Sequence, residues 1–266
     1  MTQRADAALV ARGLARSRTH AQRLLSKGVV TADGSVIVKP ATPVTEGVVL
    51  AVADADAYVS RAAHKLLAAL DAFPIAVSGR VALDMGASTG GFTQVLRERG
   101  ADPVIAVDVG HGQLARDVAA DPGVVAVEGF NVRHMTPASL AAASGVDARP
   151  SVVTGDLSFI SLTQVVPAVA ATAAGDADVV LLVKPQFEVG RAAIGDGVVT
   201  DPRLRAEAVL SVIRAAAAAG VATHGVIASP LAGTHGNREF LLHLRPGDAR
   251  DPEEWAETVA GLTGER

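Results

Sequence analysis

The 266-residue chain contains no cysteine. That removes disulfides, thiolate zinc sites and cysteine nucleophiles, including the covalent adduct through which cytosine C5 is methylated. A reducing, cytoplasmic setting is the expectation. Aromatic residues are scarce, with one Trp, one Tyr and six Phe, too few for the stacking ladders that grip single-stranded nucleic acid. No stretch reaches the ~18 uninterrupted apolar residues of a spanning helix. The opening MTQRADAALVARGLARS also lacks the apolar centre of a secretion signal, so no membrane role is expected. The seven histidines show no paired ligand spacing, and no metal is expected.

What is present describes a folded protein in two parts. Hydrophobic residues make up 49% of the chain, charged ones 20%, and the mean hydropathy is +0.32, enough to bury a sizeable core. Residues 1–40 hold seven basic groups against two acids, while residues 41–266 hold 17 against 26. The front is therefore +5 and the remainder -9, an asymmetry that suits a polyanionic partner for the front segment. There, DAALVARGLA and SRTHAQRLLSKG read as two short helices, packed through Leu9, Leu14, Leu24 and Leu25 and stopped near Gly13 and Gly28. Asp33-Gly34 sits between two β-branched runs as a hairpin turn, and VVLAV forms a return strand.

The segment RGLARSRTHAQRLLSKGVVTADGSVIVKPATPV resembles the alpha-L RNA-binding domain of a small-subunit ribosomal protein and several pseudouridine synthases. The resemblance implies that Arg16, Arg18, Arg23 and Lys27, with Arg4 in the same basic segment, face structured RNA. Recognition of folded shape is favoured over single-strand gripping. The expected boundaries are an RNA-binding domain over 1–50, a linker over 51–60 and a catalytic domain over 61–266.

In the larger part, Ser60 would cap a helix RAAHKLLAALDAF, and VALDMGASTGGFTQVLRERG follows as strand, glycine turn and helix. The turn has neither dehydrogenase nor P-loop spacing. It suits S-adenosylmethionine, with Asp84 anchoring the amino-acid portion. Gly86, Gly90 and Gly91, together with Ser88 and Thr89, would let the backbone approach the ligand. Asp108, closing the strand VIAVD, is placed for the ribose hydroxyls, and Asn131 and Val132 for the adenine edge. Strands and helices then alternate, implying an α/β fold with a Rossmann-like methyltransferase sheet behind a small α+β RNA-binding domain. FLLHL is expected at the far side of that sheet, where one strand runs antiparallel.

Only four lysines stand against 20 arginines. One of them, Lys184, closes the strand VVLLVK, as Asp156 closes SVVTGD, both at the carboxyl edge where open α/β sheets bind ligands. An ammonium beside a carboxylate there can hold and acidify a substrate hydroxyl. Phe92, Phe159 and Phe187 lie next to these motifs as pocket walls or core, with core expected for at least two. In order, RAAHKL, LDMGASTGGFT, VDVGHGQL, GDLSFISL, LLVKPQFEVGR and GNREFLLHL, behind the alpha-L segment, resemble the TlyA family of ribosomal RNA 2'-O-methyltransferases, historically labelled hemolysins. The match covers nearly the whole chain. The resemblance implies a tetrad of Lys65, Asp156, Lys184 and Glu239, S-adenosylmethionine as methyl donor, with Asp156 close to it, and ribosomal RNA or ribosomal subunits as partner. It further implies cytidine ribose methylation on the large subunit and, for a chain of this length, the small subunit too. Lys184 would be the base or oxyanion stabiliser. No obligate protein partner is apparent. A non-catalytic ribosomal RNA-binding or assembly factor, a membrane-active hemolysin and a base methyltransferase are the alternatives. An exocyclic-amine enzyme would want an Asn/Asp-Pro-Pro-aromatic loop where this chain has DLSF.

Overall fold

The computed structural model describes residues 2–15, 17–26, 28–52, 58–190, 197–233, 236–247 and 251–265. Two of the expected RNA contacts, Arg16 and Lys27, lie outside the described residues. The chain divides into two compact units, 1–57 and 58–266.

The smaller unit opens with β1 (Thr2–Arg4), α1 (Ala5–Ala11) and α2 (Arg18–Ser26), followed by β2 (Val30–Ala32), β3 (Ser35–Val36), β4 (Pro43–Thr45) and β5 (Leu50–Val52). Its core is Leu9, Leu24, Leu25, Val30, Val44 and Leu50, the apolar stripes of the two helices set against the strands. Asp33 and Gly34 have φ of 47° and 81°, two consecutive positive values that suit the tight turn of a hairpin. The β2–β3 hairpin is extended by β5 on the other side of β2. A further antiparallel pair, β1 with β4, was not anticipated, because strands of three exposed or alternating residues carry no periodic signal.

The boundary between units also differs from expectation. Ala51 and Val52 belong to β5 and pair with β2. Tyr58 and Val59 are bonded to Glu98 and Gln94 of the larger unit. A linker over 51–60 is therefore too long at both ends, and residues 53–57, which remain, lie outside the described residues.

The larger unit runs α3 (Ala63–Ala72), β6 (Ala82–Met85), α4 (Gly91–Glu98), β7 (Val104–Asp108), α5 (Arg116–Ala119), β8 (Val124–Glu128), α6 (Pro137–Ser144), β9 (Val152–Gly155) and α7 (Val166–Thr172). It continues through β10 (Asp178–Val183), α8 (Pro185–Glu188), α9 (Pro202–Ala218), β11 (Val221–Ala228), β12 (Phe240–Pro246) and α10 (Ala256–Thr263). One seven-stranded sheet has the order β11-β12-β10-β9-β6-β7-β8. Its central strands are buried along their whole length, as parallel strands covered on both faces must be. Side-chain alternation sorts them into two cores. Leu83, Met85, Ile105, Val153 and Leu181 face one set of helices, and Ala82, Val104, Val180 and Leu182 meet Leu66, Leu70, Phe92 and Leu96 of α3 and α4. The chain reverses its direction of sheet growth between β8 and β9, so the carboxyl ends of β6 and β9 flank the crevice where such sheets take ligands. β12 does not lie at the sheet's far side. It is inserted between β10 and β11 and runs antiparallel to both.

Candidate active site

Strand register alone brings three of the expected residues to one rim. β9 and β10 are parallel, with Leu181 beside Gly155, so Asp156 and Lys184 emerge next to each other. β12 runs the other way and begins with Phe240 opposite Val183, which delivers Glu239 to the same rim. Lys65 arrives from α3, whose Leu66, Ala69 and Leu70 are buried against the sheet.

The four side chains form a continuous charged chain. Glu239 accepts from Lys65 Nζ at 2.7 Å, and Lys65 lies 3.6 Å from Asp156 Oδ2. Asp156 Oδ1 is 2.6 Å from Lys184 Nζ, which also donates to Ser158 Oγ at 2.8 Å. Lys65, Lys184 and Glu239 are buried, and each is neutralised by its neighbours, as buried charges must be. All four line a cavity of about 230 Å³ with Gly86, Ser88, Thr89 and Gly91 of the glycine turn. Ser60, Arg61, Ser158 and Gly233 complete its polar wall, and none was expected as a site residue. Tertiary packing brings them there, and their local sequence carries no signal for it. Gly233 has a definite role: a Cβ there would collide with the carboxylate of Glu239.

The glycine turn is built for close approach. Gly86 has φ of +78° and, if given a Cβ, would place it 3.0 Å from the Asp156 carbonyl oxygen. Only glycine suits such a backbone. Gly90, in contrast, is not among the cavity-lining residues. Its φ of +94° starts α4, and a Cβ would strike Leu114 and Val118, so packing of the α5 region explains this glycine.

Asp108 accepts backbone N–H groups from Ser88 and Gly110, both at 2.8 Å. It borders a second, small cavity of about 20 Å³ shared with Gln113, Leu114 and Glu128. Glu128 pairs in register with Asp108 on β8, and that signal was available in the matching strand ends VIAVD and VVAVE. A carboxylate has further lone pairs beyond two backbone bonds, so both acids retain acceptor capacity.

Three residues expected to contact the cofactor are engaged within the protein. Asp84 is fully buried, with Oδ2 bonded by Thr93 Oγ1 at 2.7 Å and Oδ1 by Thr154 Oγ1 at 3.2 Å. It faces the α4 side of β6, not the cavity, and braces the turn from beneath. Burial pushes its carboxyl up to about 6, against the opposing pull of the two hydroxyls. Asn131 caps a short 3-10 turn by accepting from the Arg133 N–H at 3.0 Å. Val132 is buried in the core. Neither is among the residues lining the two cavities described above.

Of Phe92, Phe159 and Phe187, at least two of which were expected in the core, only Phe92 is buried, and it lines the larger cavity. Phe159 is 91% exposed with φ of +64° and stands against Phe187, ring centroids 5.2 Å apart. The Phe187 ring in turn lies 5.9 Å from Lys184 Nζ. Glu188 ties this loop to α8, accepting from Ser161 Oγ at 2.5 Å and the Leu162 N–H at 2.9 Å. Burial raises its carboxyl above the ordinary value. Among the described residues there is no group of three or more side chains able to hold a metal ion.

In the smaller unit, Arg4, Arg18 and Arg23 are exposed. Arg12, by contrast, is spent on the backbone carbonyls of Thr45 and Val48.

The fold and site define a methyltransferase: residues 58–246 match the FtsJ-like methyltransferase family, and residues 3–50 match the S4 domain. The chain is 54% identical over 245 residues to the 16S/23S rRNA (cytidine-2'-O)-methyltransferase TlyA of Mycobacterium tuberculosis, covering 91% of this chain and 89% of that one. It is 32% identical to the 23S rRNA (cytidine-2'-O)-methyltransferase TlyA of Campylobacter jejuni, over 70% of each. A solved structure described as a hemolysin from Streptococcus thermophilus superposes with a TM-score of 0.75 at 36% identity, over 99% of this chain and 96% of that one. The protein belongs to the TlyA family of methyltransferases.

Proposed function

We propose that this protein transfers a methyl group from S-adenosylmethionine to the ribose 2'-oxygen of cytidine in ribosomal RNA, on the large and the small subunit. The observation that carries the reading is the unbroken series Glu239, Lys65, Asp156, Lys184 along the wall of one cavity. The fit to the donor rests on the cavity's small-residue floor, Gly86, Ala87, Ser88, Thr89 and Gly91, and on its neighbouring acceptors. Ser60 and Arg61 would hold the amino-acid end, and Asp108, Gln113 and Glu128 the ribose hydroxyls. S-adenosylmethionine supplies an electrophilic methyl carbon on a sulfonium.

The chain's own residues do the rest. Lys184 uses two of its three N–H donors on Asp156 and Ser158, which leaves one to bind the 2'-oxygen and stabilise the negative charge that develops there while the hydroxyl proton is released to solvent, the O–CH3 bond forms and the donor's S–CH3 bond breaks. Asp156 fixes the direction of that ammonium. Lys65, anchored by Glu239, holds the other face of Asp156 and keeps the cluster rigid. Aligning the reactants is worth at most ~7–11 kcal/mol in well-oriented systems and outweighs the proton transfer. Phe159 offers an exposed ring against Phe187, which itself lies next to the reactive ammonium, and the target base can stack on it.

The arginines of the smaller unit would contact phosphates of folded RNA, and a ribosomal substrate places the protein in the cytoplasm. Dual subunit specificity is supported by the 54% identity to a relative named for both 16S and 23S rRNA. No helix among the described residues is long and apolar enough to cross a membrane.

Purified protein incubated with methyl-tritiated S-adenosylmethionine and separated ribosomal subunits should label 2'-O-methylcytidine in RNA from both. Label in a methylated base, or none, would overturn the proposal.

A further inference from the structure

Asp6, in the first turn of α1, is fully buried, a position in which an unpaired carboxylate is strongly disfavoured. Its oxygens are instead crowded with donors. Oδ1 accepts from the Ala7 N–H at 2.9 Å and Arg4 Nε at 3.0 Å. Oδ2 accepts from the second Arg4 donor at 3.1 Å, from Arg18 at 3.3 Å and from Gln22 Nε2 at 3.1 Å. These donors hold its carboxyl well below the usual carboxylate range in spite of burial. Of the free N–H groups at this helix start, Asp6 accepts only that of Ala7, a task a serine would perform. The unusual feature is that two guanidinium groups from different elements meet on a single acid.

Both arginines nevertheless look outward, with side chains 50% and 61% exposed. A guanidinium carries five N–H donors; Arg4 commits two to Asp6 and Arg18 one, so most remain available. Free in solution, two such side chains would repel each other and lose rotamer entropy when a ligand fixed them.

We infer that Asp6 is a positioning residue for RNA, holding Arg4 and Arg18 together as a preformed clamp for neighbouring phosphodiester groups. The inference rests on the proposed reading of these arginines as RNA contacts. Asp6 lowers the unit's net charge and so weakens indiscriminate attraction to polyanions. Its contribution is preorganisation, which favours a folded RNA whose phosphates match the clamp.

The test uses the full chain, with ribosomal subunits and a random-sequence RNA as separate ligands. Asp6→Asn should weaken subunit binding roughly tenfold, the scale of one charge-assisted bond lost, while binding of random-sequence RNA holds or strengthens. In an Arg4→Ala/Arg18→Ala background the same change should alter subunit binding by less than about twofold, since coupled residues are not additive. An equal loss in both backgrounds makes Asp6 merely structural and overturns the inference. Wild-type affinity in Arg4→Ala/Arg18→Ala removes the premise and the inference with it. A measurement on the unmutated protein covers the case in which Asp6→Asn fails to fold: the Arg4 Nε–H should exchange slowly with solvent. Exchange as fast as in an unbonded arginine would show that the clamp does not exist.

Discussion

Replacing Asp84 by Asn should stabilise the larger unit, and the gain should grow with pH. Asp84 is fully buried and its carboxyl is raised from 3.8 to about 6, chiefly because burial strips water from the charged form. For an acid raised in the folded state, stability is fully present below the unfolded value and is lost as pH climbs through the folded one. Between pH 4 and 6 the folded protein holds a proton that the unfolded chain releases, so its stability declines. Above pH 6 both forms are ionised and the loss is complete. The step from 3.8 to about 6 amounts to ~3 kcal/mol. An asparagine has the same shape, and its amide can exchange hydrogen bonds with the hydroxyls of Thr93 and Thr154, both of which donate or accept. Chemical denaturation of S-adenosylmethionine-free protein, wild type against Asp84→Asn, at intervals from pH 4 to 8 isolates this group, because the other titrations cancel in the difference. The gap should widen by ~3 kcal/mol across that range. Parallel profiles, or a variant that becomes relatively weaker as pH rises, would refute a desolvated Asp84.

Other expectations concern the rim of the sheet. Lys184→Ala should lower kcat by at least ~10²–10³, the scale of one lost oxyanion donor, while equilibrium dialysis with S-adenosylmethionine shows nearly intact cofactor binding. Lys65→Met strands the buried Glu239 and should cost about 3–5 kcal/mol by denaturant titration; adding Glu239→Gln should restore much of that stability without restoring methyl transfer. Gly233→Ala should displace the Glu239 carboxylate, abolishing turnover while circular dichroism stays that of the native fold. Arg23→Ala should reduce the slope of log affinity for ribosomal subunits against log salt by about 0.7–0.9, one phosphate contact, and leave S-adenosylmethionine affinity unchanged.

Asp156 and Lys184 were legible as rim residues because strand ends are fixed by covalent neighbours: a residue following a buried apolar run must emerge at the sheet's rim, whereas Lys65 and Glu239 were expected only from the family resemblance. The direction in which Asp84 faces was also readable from the chain, since alternation along β6 puts it on the same face as Ala82, toward α3 and α4. Asn131 and Val132 depended on the path of an irregular loop, which no periodicity encodes. Ser60, Arg61 and Gly233 reach the cavity through packing between segments far apart in sequence. Arg4 and Arg18 were visible as cations, but their shared acid was not, because a lone Asp at a helix start reads as an ordinary cap.

The reversed direction of β12 has a consequence for when the protein becomes competent. Seven residues of strand span roughly 23 Å, so a parallel β12 would leave its leading acid on the opposite side of the sheet from Lys65, 174 positions earlier. Running head to tail against its neighbours, it supplies the last member of the quartet, 174 positions after the first. A nascent polypeptide halted before residue 239 has two amines competing for one aspartate, and Lys65 lacks the acid that neutralises it.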